Sequence, residues 1–276
     1  MAPELRQRAA AVNAGSGFGA APRAGYGAWM TAVLRARAGE RFVRIAHRGA
    51  SASAPENTHA AFAAALALGV DAIELDCQLS ADGVPVVIHD ETLERTTSGI
   101  GPVRAKPWEE LRRLDAGGWK GEAFRGERIP RLEDVLIQLD GRVILNIEIK
   151  SASDVGEIES PLVALVRARG ALPWVIFSSF HEGAVRNVRA ASADAAIGVL
   201  WDRKPAAGSI ALARELGARC IVPSVRRTTP ELVTEAHAHD LGVWVWTVNE
   251  LAEMRRLTAA GVDALFSDYP ERFAEV

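Results

Sequence analysis

Residues 44–90 read RIAHRGASASAPENTHAAFAAALALGVDAIELDCQLSADGVPVVIHD. Two apolar runs in this stretch end in histidine, His47 and His89, and between them Glu74 and Asp76 are separated by one residue. In a strand, residues two apart point to the same face, so Glu74 and Asp76 project together while Ile73 and Leu75 face the other way. Adjacent carboxylates repel unless one takes up a proton or a cation holds both. A site offering only oxygen ligands suits one hard divalent ion: Mg²⁺ or Ca²⁺, with Mn²⁺ as a further option.

From Asp76 to His89 the chain is too short for a helical crossover. Asp82-Gly83 reads instead as a two-residue hairpin turn. That turn would set Ala81 opposite Val84, Leu79 opposite Val86 and His89 opposite Asp76. A slip of one residue would point His89 away.

Working outward, apolar runs recur at Phe42–His47, Ala72–Cys77, Val143–Lys150, Trp174–Ser178, Ala196–Leu200, Cys220–Pro223, Val243–Thr247 and Ala264–Ser267, with Val84–Asp90 as an extra hairpin arm. Between them, 58–68, 131–139, 156–169, 181–191, 208–217, 230–241 and 250–260 have helical composition. Several of these are followed by a glycine suited to the left-handed closing residue. Strands alternating with helices in this way argue for an α/β fold, a (β/α)8 TIM barrel. Such a barrel carries its chemistry at the C-terminal ends of its strands, which is where His47, Glu74, Asp76, Glu148, Lys150, Ser178, Trp246 and Asp268 fall. In Val143–Lys150, Asn146, Glu148 and Lys150 share one face. A barrel strand buried on both faces is normally almost all apolar, so this face needs a polar site, and Glu148 is the expected third metal ligand. Residues 91–130 break the rhythm with Gly99, Gly101, Gly117, Gly118 and Gly121 among Trp108, Trp119 and Phe124. They are expected to form a small cap insertion over the barrel mouth.

The 276 residues, 49% of them hydrophobic, are ample for one such core, and the net charge of −3 gives no reason to expect a nucleic-acid partner. Cys77 and Cys220 form neither a disulfide framework nor a zinc spacing, and Cys77 is expected to pack. There is no run of 18 apolar residues, so no transmembrane segment is expected. Residues 1–40 form an N-terminal extension before the barrel domain at 41–276. Arginines interrupt every apolar stretch in it, so a secretory signal is not expected and the cytoplasm is the expected location. Residues 13–27 read as flexible linker. Residues 28–37 read as a short helix, expected to plug the barrel bottom, with a membrane-surface anchor as the alternative.

His47-Arg48-Gly49, Pro55-Glu56-Asn57-Thr58, Glu74-Leu75-Asp76 and His89-Asp90, followed by Ile147-Glu148-Ile149-Lys150, Trp246-Thr247-Val248-Asn249 and Ser267-Asp268-Tyr269-Pro270, together resemble the glycerophosphodiester phosphodiesterase family. The resemblance covers about residues 42 to 273, and the specificity lies in the ordered set. It implies the same barrel, the same insertion, and Glu74, Asp76 and Glu148 as the metal site. Trp246 would then lie against the glycerol or leaving group of the substrate, with Ser178 and Phe180 as weaker candidates for contact. The implied reaction is hydrolysis of a small-molecule glycerophosphodiester to an alcohol and glycerol 3-phosphate.

His47 and His89 are the candidate acid and base, since histidine titrates near neutrality. Arg48, whose guanidinium matches two phosphate oxygens, and Lys150 are the candidate phosphate-binding residues. Asn57 and Thr58 are expected to cap the first helix, and Glu56 is a candidate to orient His47. The alternatives are a lysophospholipase D-type phosphodiesterase, which a large apolar groove in the cap would favour, and a non-catalytic phosphodiester-binding barrel, which would lack a catalytic residue. Oligomeric state is not legible.

Overall fold

The structure is a computed structural model that describes residues 42–150, 158–202 and 206–276. The N-terminal extension, with its expected linker and plug helix, lies outside the described residues.

A nine-stranded sheet closes on itself: β1 (Val43–Ala46), β2 (Ala72–Leu79), β3 (Pro85–Val87), β4 (Ile144–Ile149), β5 (Val175–Ser179), β6 (Ala196–Trp201), β7 (Cys220–Pro223), β8 (Gly242–Val245) and β9 (Ala264–Ser267). All neighbours pair in parallel except β3, which is the antiparallel arm of β2, and β1 pairs with both β2 and β9 to complete the barrel. Helices α1 (His59–Ala67), α3 (Leu132–Leu139), α4 (Glu159–Ala168), α5 (Glu182–Ala191), α6 (Ala206–Glu215), α7 (Pro230–His237) and α8 (Leu251–Ala259) cover the outside, and the short α2 (Trp108–Leu111) lies in the insertion.

Alternation along the strands sorts side chains into two cores. Ile73, Leu75, Cys77, Ile147 and Phe177 point outward into the layer between strands and helices. Ile45, Ala72, Ile144, Ile176, Trp244 and Phe266 point inward and fill the barrel floor. Above that floor the same inward positions of β2 and β4 turn polar, at Glu74, Asp76, Asn146 and Glu148, all buried. The β2–β4 register sets Glu74 beside Asn146 and Asp76 beside Glu148.

The hairpin differs from expectation by one residue. Leu79 pairs with Pro85, Gln78 with Val86 and Cys77 with Val87. The loop is three residues long, because Gly83 adopts φ +79° and closes it back onto the Ser80 carbonyl. The Ser80 hydroxyl tightens the loop, donating to Asp82 Oδ1 at 2.6 Å and accepting from the Val84 N–H at 2.9 Å. Ile88, not His89, therefore meets Asp76, through an N–H···O=C bond of 3.1 Å. His89 nevertheless reaches the site, because the chain leaves the ladder there. The Gln78 side-chain amide donates to the carbonyls of Ile88, His89 and Asp90 at 3.0, 3.1 and 2.7 Å, pinning a turn that brings the imidazole back.

The insertion folds on a core of its own, in which Leu93, Val103, Leu111, Ala116 and Ile129 pack against Val86 and Ile88 of the arm.

Candidate active site

The turn after β1 is made of residues that accept unusual backbone angles. Arg48 has φ +56° and Gly49 φ +81°. A Cβ on Gly49 would stand 2.7 Å from backbone and side-chain carbon of Ala61, so only glycine fits. This turn aims the Arg48 N–H at Glu74 Oε2, 2.9 Å away. It also lets the Asn57 N–H reach the Arg48 carbonyl at 3.0 Å. Asn57, itself at φ +58°, is not the helix cap. Its amide brackets Asp76, donating to Oδ2 at 2.8 Å and accepting from the Asp76 N–H at 3.3 Å. Thr58 alone caps α1, accepting from the Ala61 N–H at 3.3 Å.

Glu74, Asp76 and Glu148 converge, with one carboxylate oxygen from each lying within 4.8 Å of the others. Glu74 Oε1 and Asp76 Oδ1 are buried without a hydrogen-bond partner. Lys150 Nζ approaches Asp76 Oδ1 to 3.1 Å, an ion pair off hydrogen-bond direction, and donates to Glu148 Oε1. Arg48 Nε stands 3.3 Å from Asp76 Oδ2. Burial, with the neighbouring Asp76 charge, pushes the Glu74 carboxyl up to about 8 and raises Glu148 as well. Burial pushes Asp76 the same way, but Lys150 and Arg48 outweigh it and hold its pKa well below the usual carboxylate range. A buried Glu74 oxygen without a partner, and two acids, Glu74 and Glu148, forced toward protonation, fit a divalent cation, which would take the place of that proton.

The histidines stand on either side, each with its own carboxylate. His47 Nδ1 lies 2.7 Å from Asp268 Oδ1, leaving Nε2 turned toward Glu74 Oε2 at 3.9 Å. Burial opposes protonation of His47, but Glu74 and Asp268 prevail and its pKa is raised. Asp268 is held by Ser51 Oγ at 3.0 Å and Asn249 Nδ2 at 2.7 Å. His89 Nδ1 lies 2.6 Å from Asp90 Oδ1. Burial, joined by the nearby Arg48 and Lys150 charges, lowers the pKa of His89 against the opposing pull of Asp76 and Asp90. Glu56 does not orient His47. It accepts from Arg48 Nη1 at 2.8 Å and so orients the guanidinium.

Opposite the charges stand rings. The Trp246 indole N–H donates to the Val222 carbonyl at 2.9 Å, and its ring meets Phe180 edge to face, centroids 5.2 Å apart. A cleft of about 760 Å³ is lined by Gln78, His89, Asp90, Glu148, Lys150 and Phe180. A second pocket, of about 520 Å³, opens on the other side of Phe180 among Trp201, Leu212 and Trp246.

The structure thus brings together His47, His89, Glu74, Asp76, Glu148, Arg48 and Lys150, with Trp246 across the mouth. Sequence reasoning missed the contacts made by Asp268, Asn57, Glu56 and Gln78. Asn57 had left a trace, since a Pro-Glu-Asn-Thr stretch offers asparagine where a left-handed residue is needed.

Residues 47–272 match the family model described as the glycerophosphoryl diester phosphodiesterase family. A glycerophosphodiester phosphodiesterase of Caldanaerobacter subterraneus subsp. tengcongensis is 40% identical over 232 residues, covering 82% of this chain and 94% of the relative. A phosphodiesterase from Oleispira antarctica, solved in complex with the product sn-glycerol-3-phosphate, superposes with a TM-score of 0.79 at 32% identity, covering 84% of this chain and 94% of that one. A glycerophosphodiester phosphodiesterase from Agrobacterium tumefaciens gives a TM-score of 0.75 at 34% identity, covering 86% of this chain and all (100%) of that one. The chain belongs to the glycerophosphoryl diester phosphodiesterase family and is an enzyme of that family.

Proposed function

We propose that the chain hydrolyses glycerophosphodiesters to an alcohol and glycerol 3-phosphate, using one divalent cation, Mg²⁺ or Ca²⁺ with Mn²⁺ as a further option. The observation that carries this reading is the buried triad of Glu74, Asp76 and Glu148, converging between two histidines with Glu74 Oε1 unpartnered. When bound, the cation supplies positive charge to the phosphoryl group and positions the nucleophile.

The residues of the chain do the rest. Arg48 and Lys150 face the phosphoryl oxygens and stabilise charge that develops there. Each is pre-set by acids, Arg48 by Glu56 and Asp76, Lys150 by Glu148 and Asp76. His47 and His89 divide the proton transfers. One takes the proton of the nucleophile and the other gives one to the leaving alkoxide. Attack by water, and attack by the neighbouring glycerol hydroxyl through a cyclic phosphate, both use this pair. Asp268 and Asp90 each bind Nδ1, which fixes Nε2 as the working nitrogen of each imidazole. Trp246 and Phe180 bound the space for the glycerol or the leaving group.

Lysophospholipids form a second reading, for which the 520 Å³ pocket beside Phe180 offers room, although it lies outside the cap. A panel of glycerophosphocholine, glycerophosphoethanolamine and lysophospholipids, with glycerol 3-phosphate and its acylated counterpart as products, tests both. Release of glycerol 3-phosphate from the first two supports the main reading, and turnover of the lipids alone would replace it. Among the described residues no helix is long and apolar enough to cross a membrane. The free, buried thiols Cys77 and Cys220 accord with a cytoplasmic location, which cell fractionation would test.

A further inference from the structure

Arg95 lies in the insertion, two residues after the buried anchor Leu93 and 39 residues from Glu56 in sequence. Its guanidinium makes four hydrogen bonds. Nε and Nη2 donate to Asp90 Oδ2 and Oδ1 at 2.6 and 2.9 Å, while Nη1 and Nη2 donate to Glu56 Oε2 and Oε1 at 2.8 Å each. Both acceptors pass the restraint on. Asp90 Oδ1 is 2.6 Å from His89 Nδ1, and Glu56 Oε1 accepts from Arg48 Nη1 at 2.8 Å. One side chain therefore stands behind a candidate proton-transfer group and a candidate phosphate ligand at once.

We propose that Arg95 is a positioning residue: a two-sided fork through which the cap insertion holds His89 and Arg48 in register with each other. The inference rests on the proposed roles of those two residues. Arginine is required by geometry as well as charge. A planar guanidinium can grip two carboxylates along two edges, whereas an ammonium is a point charge that serves one at a time. The side chain is 44% exposed, and an ordinary ion pair so exposed contributes little. What distinguishes this one is that its partners are themselves bonded to the working groups. Without the fork, Glu56 and Asp90 are free to turn to solvent, and the Arg48 and His89 geometry loosens.

The test is a pair of double-mutant cycles in the metal-loaded full chain, with Arg95→Ala, Arg95→Lys, Glu56→Gln, Asp90→Asn, Arg48→Ala and His89→Ala. Arg95→Ala should keep the parent circular dichroism and divalent-ion stoichiometry. It should lower kcat/KM at least tenfold and weaken binding of glycerol 3-phosphate, which reads the Arg48 arm apart from turnover. Arg95→Lys should remain close to Arg95→Ala, and added guanidinium should restore part of the Arg95→Ala rate. Adding Glu56→Gln or Asp90→Asn to Arg95→Ala should cost little more, since coupled residues are not additive. Arg95→Ala within twofold of the parent, while Arg48→Ala and His89→Ala each lose about a hundredfold or more, would overturn the positioning role and leave the catalytic reading intact. Full additivity in both cycles would overturn it too, leaving a general role in holding the cap. If Arg48→Ala and His89→Ala are themselves close to the parent in rate, the catalytic reading falls, and this role falls with it.

Discussion

The β1–β2–β4 side of the barrel mouth is built of charges held against one another, whereas the β5–β8 side presents the rings of Phe180 and Trp246. On the first side the buried Glu74, Asp76 and Glu148 meet the partly exposed Arg48 and Lys150, and the acids' pKa values are pushed apart, Glu74 upward and Asp76 downward. On the second, the Trp246 indole N–H is already satisfied by Val222 and its ring packs against Phe180. Burying acids costs desolvation that is recovered only with well-placed partners, so the charged side depends on its ion pairs. Rings carry no such penalty and can shape affinity and selectivity without setting the protonation of the site.

The largest effect should come from breaking the charged side. Asp76→Asn removes the carboxylate that meets Arg48, Lys150 and Asn57 together. Turnover should fall to background in a product-release assay while circular dichroism stays that of a folded barrel. Next are the histidines. His47→Ala and His89→Ala should each cost about 10²–10⁴-fold on natural diesters. Only the acid's replacement should be largely forgiven by a p-nitrophenyl ester, whose leaving group departs without a proton. If both variants responded alike to leaving-group acidity, the division of roles would fail.

Breaking the aromatic side should do less, and differently. Trp246→Ala and Phe180→Ala should change the preference among leaving alcohols by roughly 10–200-fold, the span that apolar pocket contacts achieve. Parallel loss on all substrates would erase the distinction between the two sides.

The smallest effect is on stability, in metal-free protein. His47 is raised on folding, so its contribution is full below about pH 6.5 and is lost as pH rises through its folded value. Asp268 is depressed, with burial opposing and His47 responsible, so its contribution is present above about pH 4 and is lost as pH falls through its folded value. The Tm advantage of the parent over Asp268→Asn should therefore peak between those limits and shrink on both sides. A constant difference across pH would show that the pair does not titrate as a unit.

Much of the charged side was legible in the sequence, because strand alternation alone puts Glu74 with Asp76 and Asn146 with Glu148 on inward faces. The strands fell where apolar runs end in polar residues. What was not legible depended on three-dimensional closure. Asp268 meets His47 because β9 pairs with β1, a contact 221 residues apart in sequence. Arg95 meets Glu56 across 39 residues, through an insertion without periodicity. The hairpin register turned on whether Gly83 sits in a two-residue or a three-residue loop. Asp-Gly permits both, and the Ser80 hydroxyl selects the longer. His89 still reached the site because Gln78 pins the turn after the ladder, a bond no pattern of hydrophobicity encodes.

If the three buried carboxylates hold one divalent ion, turnover depends on that ion. Calorimetric titration of Mg²⁺, Ca²⁺ and Mn²⁺ into exhaustively chelated protein, with glycerol 3-phosphate release followed on the same samples, tests this. One ion per chain is expected for at least one of these metals, with activity restored in step with occupancy, and neither in a folded Glu74→Gln/Asp76→Asn/Glu148→Gln variant. Full activity in parent protein shown to contain no metal, or one-to-one binding that survives in the triple variant, would contradict it.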